Sequence, residues 1–142
     1  MIADILLSRI VISVVVAAVL SQILKFITHR ITSGDWDWRM TFTDGGMPSA
    51  HTATVVALCG SIFLLEGATT AFYVSLVYAA ITLRDAVGIR LQAGKQAAVL
   101  NRIADRDGLH LPHLKELVGH TPLQVAFGVL VGVFVSVVVA LW

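Results

Sequence analysis

The sequence predicts an all-α integral membrane protein, a bundle of about four transmembrane helices with a further amphipathic helix at the cytoplasmic membrane surface. Apolar residues make up 57% of the 142-residue chain and charged residues 13%, whereas soluble domains contain about 45–50% and about 25%. The apolar residues are concentrated in four long stretches, and the mean hydropathy is +0.85. The chain length fits a single domain that covers residues 1–142.

The four apolar stretches differ in how well they match the roughly 20 residues that a membrane-spanning helix needs. They cover residues 5–24, 50–65, 68–83 and 121–142. The first and the fourth are long enough, whereas the second is short, so we expect its start at Pro48–His51 to lie at the membrane boundary. The third reaches the required length only if it continues to Leu91. The tight turn at 66–69 predicts that the second and third stretches form a helical hairpin.

Two polar segments connect these stretches. Residues 25–49, which contain "SGDWDWR", are expected to form a loop. The segment 93–108, "AGKQAAVLNRIADRDG", has the spacing of an amphipathic helix that lies in the membrane interface and ends at Asp107–Gly108. Beyond it, Pro112 is expected to open a short helix that Gly119 closes.

Both long connections fall on the same side of the membrane if four helices cross it in turn. That side carries most of the cationic side chains, namely Lys25, Arg30, Arg39, Lys95, Arg102, Arg106 and Lys115. Cytoplasmic loops are enriched in Lys and Arg, so this side is predicted to be cytoplasmic and both termini to lie outside. The expected location is a bacterial cytoplasmic membrane or its plastid-type equivalent.

Ionisable residues at a membrane boundary are costly and often functional, and here they gather on that same side. The set is Lys25, His51, Arg84, Asp85, Arg90, Lys115 and His120. Two histidines with several cations and few carboxylates suit an anion, and phosphate suits them best. The cations would neutralise its oxygens, one imidazole could attack phosphorus, and the other could protonate the leaving oxygen. Both histidines fall at predicted helix N-termini, where backbone N–H groups favour anions.

Three blocks of the sequence, in this order, resemble a known family. They are "GGMPSAHTA", "RDAVGIR..AGKQA..LN" and "LKELVGHTPLQV". Together they are similar to the divergent bacterial and plastid branch of the type-2 phosphatidic acid phosphatase and haloperoxidase superfamily. The resemblance runs from about Lys25 into the fourth apolar stretch, which is most of the chain.

The resemblance implies roles for individual residues. Lys25 and an arginine would bind phosphate, and Ser49 would donate a hydrogen bond to it. His51 would act as general acid and His120 as nucleophile, with a phosphohistidine intermediate. The implied mechanism needs no metal and no other cofactor.

The sequence departs from the family pattern at two arginine positions. The arginines that the pattern expects would stand at Thr32 and Leu114. The expected substitutes are Arg39 or Arg30 for the first position, and Lys115 or Arg90 for the second.

A third departure concerns the acid that should orient the nucleophile, since that position holds Gln124. The stretch "TPLQ" also reads as a capping box, with Thr121 as N-cap and Gln124 at the third helical position. Gln124 is therefore expected to cap the last helix, to orient His120, or to do both. Asp85 or Asp44 could supply the missing charge.

The predicted activity is that of a phosphatase acting on a lipid phosphate, with phosphatidylglycerophosphate as the first expectation and phosphatidate or a polyprenyl diphosphate as alternatives. A non-catalytic subunit that binds anionic lipids is the alternative from another class. No nucleic-acid partner is expected.

Several of these residues also have purely structural interpretations. Lys25 and Arg30 could anchor the first helix by extending to the headgroups, and Arg84 with Asp85 could be an internal pair. The spacing of His110, His113 and His120 fits no zinc pattern, so no metal site is expected. Gly128 and Gly132 form a small-xxx-small motif, which predicts a homodimer through the last helix.

Overall fold

The computed structural model describes residues 8–36 and 45–142. Five helices follow one another, and no strand occurs within these residues, so the all-α class is confirmed. They are α1 (Arg9–Ser33), α2 (Ala50–Glu66), α3 (Thr70–Val87), α4 (Ile89–Arg106) and α5 (Pro122–Leu141). By length and composition three helical units could cross a membrane, α1, α5 and the nearly continuous pair α3–α4, while α2 is apolar but shorter. Arg39 and Asp44, for which the sequence predicts possible site roles, lie outside the described residues.

The first helix is longer than predicted, because it continues through Ser33 instead of giving way to a loop after Leu24. The polar side chains of its last turns bond back to carbonyl oxygens of the preceding turn, as Thr32 does to Thr28 at 2.9 Å and Ser33 does to His29 at 2.7 Å. The hydroxyls are thus satisfied without leaving the helix. The helix ends where the N–H of Gly34 donates to the carbonyl of Arg30.

Arg30 makes local contacts at the end of α1, and its predicted anchoring in the headgroups stays a prediction. Its guanidinium donates to the carbonyl of Gly34 and stands 5.3 Å from the ring centroid of Trp36, a cation–π contact. The Trp36 ring in turn packs on Phe26. These contacts hold the Arg30 side chain at the C-terminal end of α1.

The bundle is organised around α2, which packs against α1, α3 and α5. Its core consists of small and medium residues, Ala17, Ala57, Val135 and Val139, while large apolar side chains such as Ile23 and Phe134 point outward. Buried hydroxyls bond within their own helices, for example Ser61 to the carbonyl of Ala57 at 2.6 Å. Small residues inside and large apolar residues outside are typical of helices that pack in lipid.

Gly128 and Gly132 lie inside this bundle. A Cβ atom on Gly128 would come within 2.7 Å of the Ser49 carbonyl oxygen, and one on Gly132 within 2.6 Å of the Ala53 carbonyl oxygen. The two glycines therefore let α5 approach α2 of the same chain. In this chain α2 covers the face that holds both glycines, and the homodimer stays a prediction.

The chain bends at Gly88, and α4 follows with an amphipathic pattern as predicted. Its buried side holds Gly94, Ala97 and Asn101, whereas Leu100 is exposed. Exposed apolar residues such as Val99 and Ile103 are free to meet the membrane interface.

The predicted short helix from Pro112 to Gly119 is absent, since residues 109–121 form no helix. The side chain of Asn101 bonds to both the N–H and the carbonyl of Leu114, at 2.9 and 3.0 Å. In a helix beginning at Pro112, the Leu114 carbonyl would instead have accepted from an N–H four residues later. The segment is held extended along α4 instead.

Candidate active site at one end of the bundle

Two helix N-termini meet at the end of the bundle that carries both long connections. The N–H of Ser49, which precedes α2, donates to the carbonyl of Gln124 in the first turn of α5 at 3.1 Å. The close approach at Gly128 holds the two helices together one turn further along. Both N-termini carry partial positive charge, so this end of the bundle favours an anion.

Ser49 is the N-cap of α2 and is fully buried. Its Oγ accepts hydrogen bonds from the N–H of Thr52 at 3.4 Å and from the Thr52 hydroxyl at 2.9 Å. The hydroxyl proton of Ser49 is not used in either bond. Capping is the role that the geometry gives this serine, and donation to phosphate stays a prediction.

His120 is 3% exposed and sits where the extended segment reaches α3. Its backbone N–H donates to the carbonyl of Ala86 at 3.1 Å. Its side-chain Nδ1 is buried and has no hydrogen-bond partner among the described residues. An unpaired buried ring nitrogen is costly, and it marks the position where the family pattern expects a carboxylate partner.

Burial lowers the pKa of His120 below its ordinary value of 6.5. The Gln124 side chain favours the protonated ring and opposes this shift, as does, more weakly, the backbone of Gly46. The nearby charges of Lys25 and His51 lower the pKa of His120 further. The ring is therefore held neutral near pH 7, with an unprotonated nitrogen available for attack.

These interactions bring four of the predicted site residues to one place: Lys25, His51, His120 and Gln124. His51 is exposed in the first turn of α2, whereas Lys25 is 4% exposed on α1. A Cβ atom at Gly46 would lie 2.8 Å from Cε of Lys25, and the φ angle of Gly46 is +102°. Only glycine suits this position, so the "GG" of the motif lets the chain close over the lysine.

A cleft of about 460 Å³ opens beside this cluster. Lys25 and Gln124 line it, together with Thr28, His29 and Thr32 on the same face of α1. Neither His51 nor His120 belongs to its lining, but Lys25, Gly46 and Gln124 border both the cleft and His120. The cleft therefore lies directly beside the cluster.

Sequence analysis missed the α1 wall of this cleft. Residues 25, 28, 29 and 32 have helical spacing, a signal that the expected loop over 25–49 concealed. His29 also contacts the hydroxyl of Ser33 at 3.1 Å, and the hydroxyl of Thr28 donates to the carbonyl of Met47. The latter bond fastens the motif loop to α1.

Gln124 completes the capping box that the sequence predicted. Its Oε1 accepts from the N–H of Thr121 at 3.0 Å, and its own N–H donates to the Thr121 hydroxyl at 3.3 Å. Because the same side chain acts on the pKa of His120, the geometry fits a dual role.

Arg84, Asp85 and Arg90 lie at the α3–α4 bend, where Gly119 packs on the Arg90 backbone, and their predicted phosphate contacts stay a prediction. The Nε of Arg90 donates to the carboxylate of Asp85 at 2.5 Å, so Asp85 pairs with Arg90 and not, as expected, with Arg84 or His120. Arg84 and Asp85 line a second cavity of about 780 Å³ at the α3–α4 bend. Lys115 is exposed on the extended segment.

No group of three or more His, Cys, Asp or Glu side chains within residues 8–36 and 45–142 could hold a metal ion. Of the three histidines at positions 110, 113 and 120, His113 contacts Asp105 at 3.0 Å.

The sequence over residues 6–135 matches the model of the family described as the Divergent PAP2 family. The chain belongs to the divergent PAP2 family. It is 36% identical over 140 residues to the "Uncharacterized membrane protein YuiD" of Bacillus subtilis (strain 168), covering 87% of this chain and 89% of that protein. No solved structure matches. Together with its apolar helices, these matches identify an integral membrane protein of the divergent PAP2 family.

Proposed function

We propose that this divergent PAP2 protein is a membrane-embedded phosphatase that hydrolyses a lipid phosphate through a phosphohistidine intermediate. The observation that carries the proposal is the surroundings of His120. A buried neutral imidazole stands beside a buried lysine and a second histidine, where two helix N-termini converge. These are the parts that phosphoryl transfer needs: a nucleophile, an acid and positive charge for the phosphate oxygens.

The chemistry proceeds in two displacements. The unprotonated Nε2 of His120 attacks phosphorus, since Nδ1 is buried, and the bond from phosphorus to the lipid oxygen breaks. His51 gives its proton to that oxygen, so the lipid leaves as an alcohol. Water, losing a proton to His51, then attacks the phosphohistidine, which releases inorganic phosphate and restores His120. Lys25 and the two helix N-termini stabilise the charge on the phosphate oxygens.

The substrate class follows from the position of the cleft. It opens at a bundle end next to lipid-facing residues, so a phosphate headgroup can enter while its acyl chains stay in the bilayer. We place this end in the cytoplasm from the charge asymmetry of the connections. Phosphatidylglycerophosphate is our first candidate, followed by phosphatidate and polyprenyl diphosphate.

The test is phosphate release by the purified protein from a panel of these three lipids. His51→Ala and His120→Ala should each abolish release. His110→Ala removes an exposed histidine outside the cluster and should retain it. A folded protein that releases phosphate from none of these lipids, or His120→Ala with full turnover, would contradict the proposal.

One observation favours a second candidate, a non-catalytic protein that binds anionic lipids. Gln124 is neutral where the family pattern expects an acid, so an imidazolium at His120 lacks a carboxylate to stabilise it. In that case vesicles containing phosphatidate should bind the protein, and binding should survive His120→Ala without any release of phosphate.

A further inference from the structure

The residues that lead to His120 run antiparallel to α4, although they form no helix or strand. Residues 114–116 lie beside Asn101. A Cβ atom on Gly94 would come within 2.3 Å of the Glu116 carbonyl oxygen, and one on Gly119 within 2.3 Å of the Leu91 nitrogen. We call residues 114–120 the strap. The strap ends where the N–H of His120 donates to the carbonyl of Ala86 on α3.

Asn101 is the polar fastening of the strap. It is 6% exposed, and its carboxamide makes three hydrogen bonds across 13 and 15 residues of sequence. Its Nδ2 donates to the carbonyl of Leu114 at 3.0 Å and to the carboxylate of Glu116 at 2.8 Å, while its Oδ1 accepts from the N–H of Leu114 at 2.9 Å. A carboxamide that hydrogen-bonds to both the N–H and the carbonyl of one residue fixes the position of that residue and the direction of its backbone.

The other contacts along the strap are steric or single bonds. The glycines allow close approach. At the far end the His120 N–H donates to the Ala86 carbonyl at 3.1 Å, and the next residue, Thr121, is held by its capping box with Gln124. Most strap side chains, including Lys115 and Leu117, are exposed and contribute little packing. The Asn101 carboxamide is therefore the main restraint on the near end.

We infer that Asn101 is a positioning residue for the candidate site, because its carboxamide holds the strap against α4 and thereby seats His120 between α1, α2 and α3. It does not touch the substrate. The expected effect of Asn101 on turnover rests on the proposed phosphatase function, whereas its effect on the position of the His120 ring does not.

The seating can be tested without any activity, by following the titration of the five histidines by NMR in detergent micelles, with His120→Gln to assign the His120 signal. The groups around that ring are Lys25 on α1, His51 on α2, and Gln124 on α5. In Asn101→Ala the pKa of His120 should move upward towards 6.5, since a loosened strap exposes the ring. Gln96→Ala, an exposed amide on the same helix, should leave the His120 titration as in the parent chain. A His120 titration that is the same in Asn101→Ala and Gln96→Ala would overturn the inference.

A second pair of variants keeps the test decisive if Asn101→Ala does not fold. Asn101→Asp loses the donors to the Leu114 carbonyl and to Glu116 and sets two carboxylates together. Adding Glu116→Gln removes this repulsion and lets the side chain at 116 donate to the side chain at 101, while the Leu114 carbonyl stays without a donor from residue 101. The double variant should recover the parent His120 titration more fully than Asn101→Asp alone. A double variant no better than the single one would overturn the inference.

With a lipid phosphate that the parent chain hydrolyses, Asn101→Ala should lower kcat about ten- to a hundredfold with a smaller change in KM, since it displaces the nucleophile and not the headgroup contacts. An equal loss for Gln96→Ala would contradict a specific role. If the parent chain hydrolyses no lipid phosphate, the proposed function fails while the NMR comparison still decides the role of Asn101.

Discussion

Replacing Gly128 by alanine should force apart the two helices whose N-termini form the candidate site. The new Cβ would lie 2.7 Å from the Ser49 carbonyl oxygen and 2.9 Å from Cβ of Thr52, well inside the ~3.5 Å at which heavy atoms pack favourably. A shift of roughly 0.5–1 Å is needed to relieve this contact. Overpacking of this kind costs about 1–3 kcal/mol, and weakening the bond from Ser49 to Gln124 adds about 1 kcal/mol.

The matched variant is Gly132→Ala, whose Cβ would lie 2.6 Å from the Ala53 carbonyl oxygen. It has a similar clash one turn further from the site. Reversible unfolding in mixed detergent micelles should therefore show a loss of about 2–4 kcal/mol for Gly128→Ala and about 1–3 kcal/mol for Gly132→Ala. Under conditions where both variants are folded, turnover should fall more for Gly128→Ala.

The opposite result has a clear meaning. If both variants unfold like the parent chain but lose self-association, the glycines serve a dimer seam and the packing of α5 on α2 is misassigned. If turnover falls equally in both, the N-termini at Ser49 and Gln124 have no special part in the site.

Three further predictions concern the end of the bundle that carries the site. Gln124→Glu should preserve the capping box, raise the pKa of His120 and move the acidic limb of the pH profile of turnover to higher pH. Gln124→Ala should lower the free energy of unfolding by about 1 kcal/mol and also lower turnover. Unchanged turnover in both variants would remove Gln124 from the site. Because burial lowers the pKa of His120, the unfolded chain binds more protons than the folded one, so stability should be fully present above about pH 6.5 and fall as the pH drops below it. His120→Gln should flatten that dependence, and an equally steep fall in the variant would show that another group is responsible. In Asp107→Cys, the introduced thiol should react in intact cells only with a membrane-permeable thiol reagent, since the native Cys59 is buried in α2. Labelling by an impermeant reagent would place the site on the outer side of the membrane.

The elements that could be predicted from sequence are those governed by apolarity. The spans that became α2, α3 and α5 are visible because burial in lipid demands long apolar runs. The last turns of α1 are polar, and their composition predicts a loop. They are helical because their hydroxyls bond to carbonyl oxygens within the helix, and composition does not reveal such bonds.

The site was predictable where a local motif carries it. Ser49, His51 and His120 stand in short blocks, and the structure brings both histidines together with Lys25 and Gln124. The pairing of Asp85 with Arg90 and the fastening of Leu114 by Asn101 depend on a bend at Gly88 and on contacts 13 residues apart. Neither follows from spacing alone. A phosphate role for Arg90 or Lys115 stays a prediction.

The most direct test of the proposed chemistry is to look for phosphate on His120 itself. The purified protein would be mixed with phosphatidylglycerophosphate, or whichever lipid of the panel it hydrolyses, and quenched within one turnover in alkali, in which phosphohistidine survives. Peptide mass spectrometry should then find a phosphoryl group on His120, and none on His51 or in the His120→Ala variant. Turnover that proceeds with no phosphoryl group on His120 at any quench time would contradict nucleophilic attack by this residue.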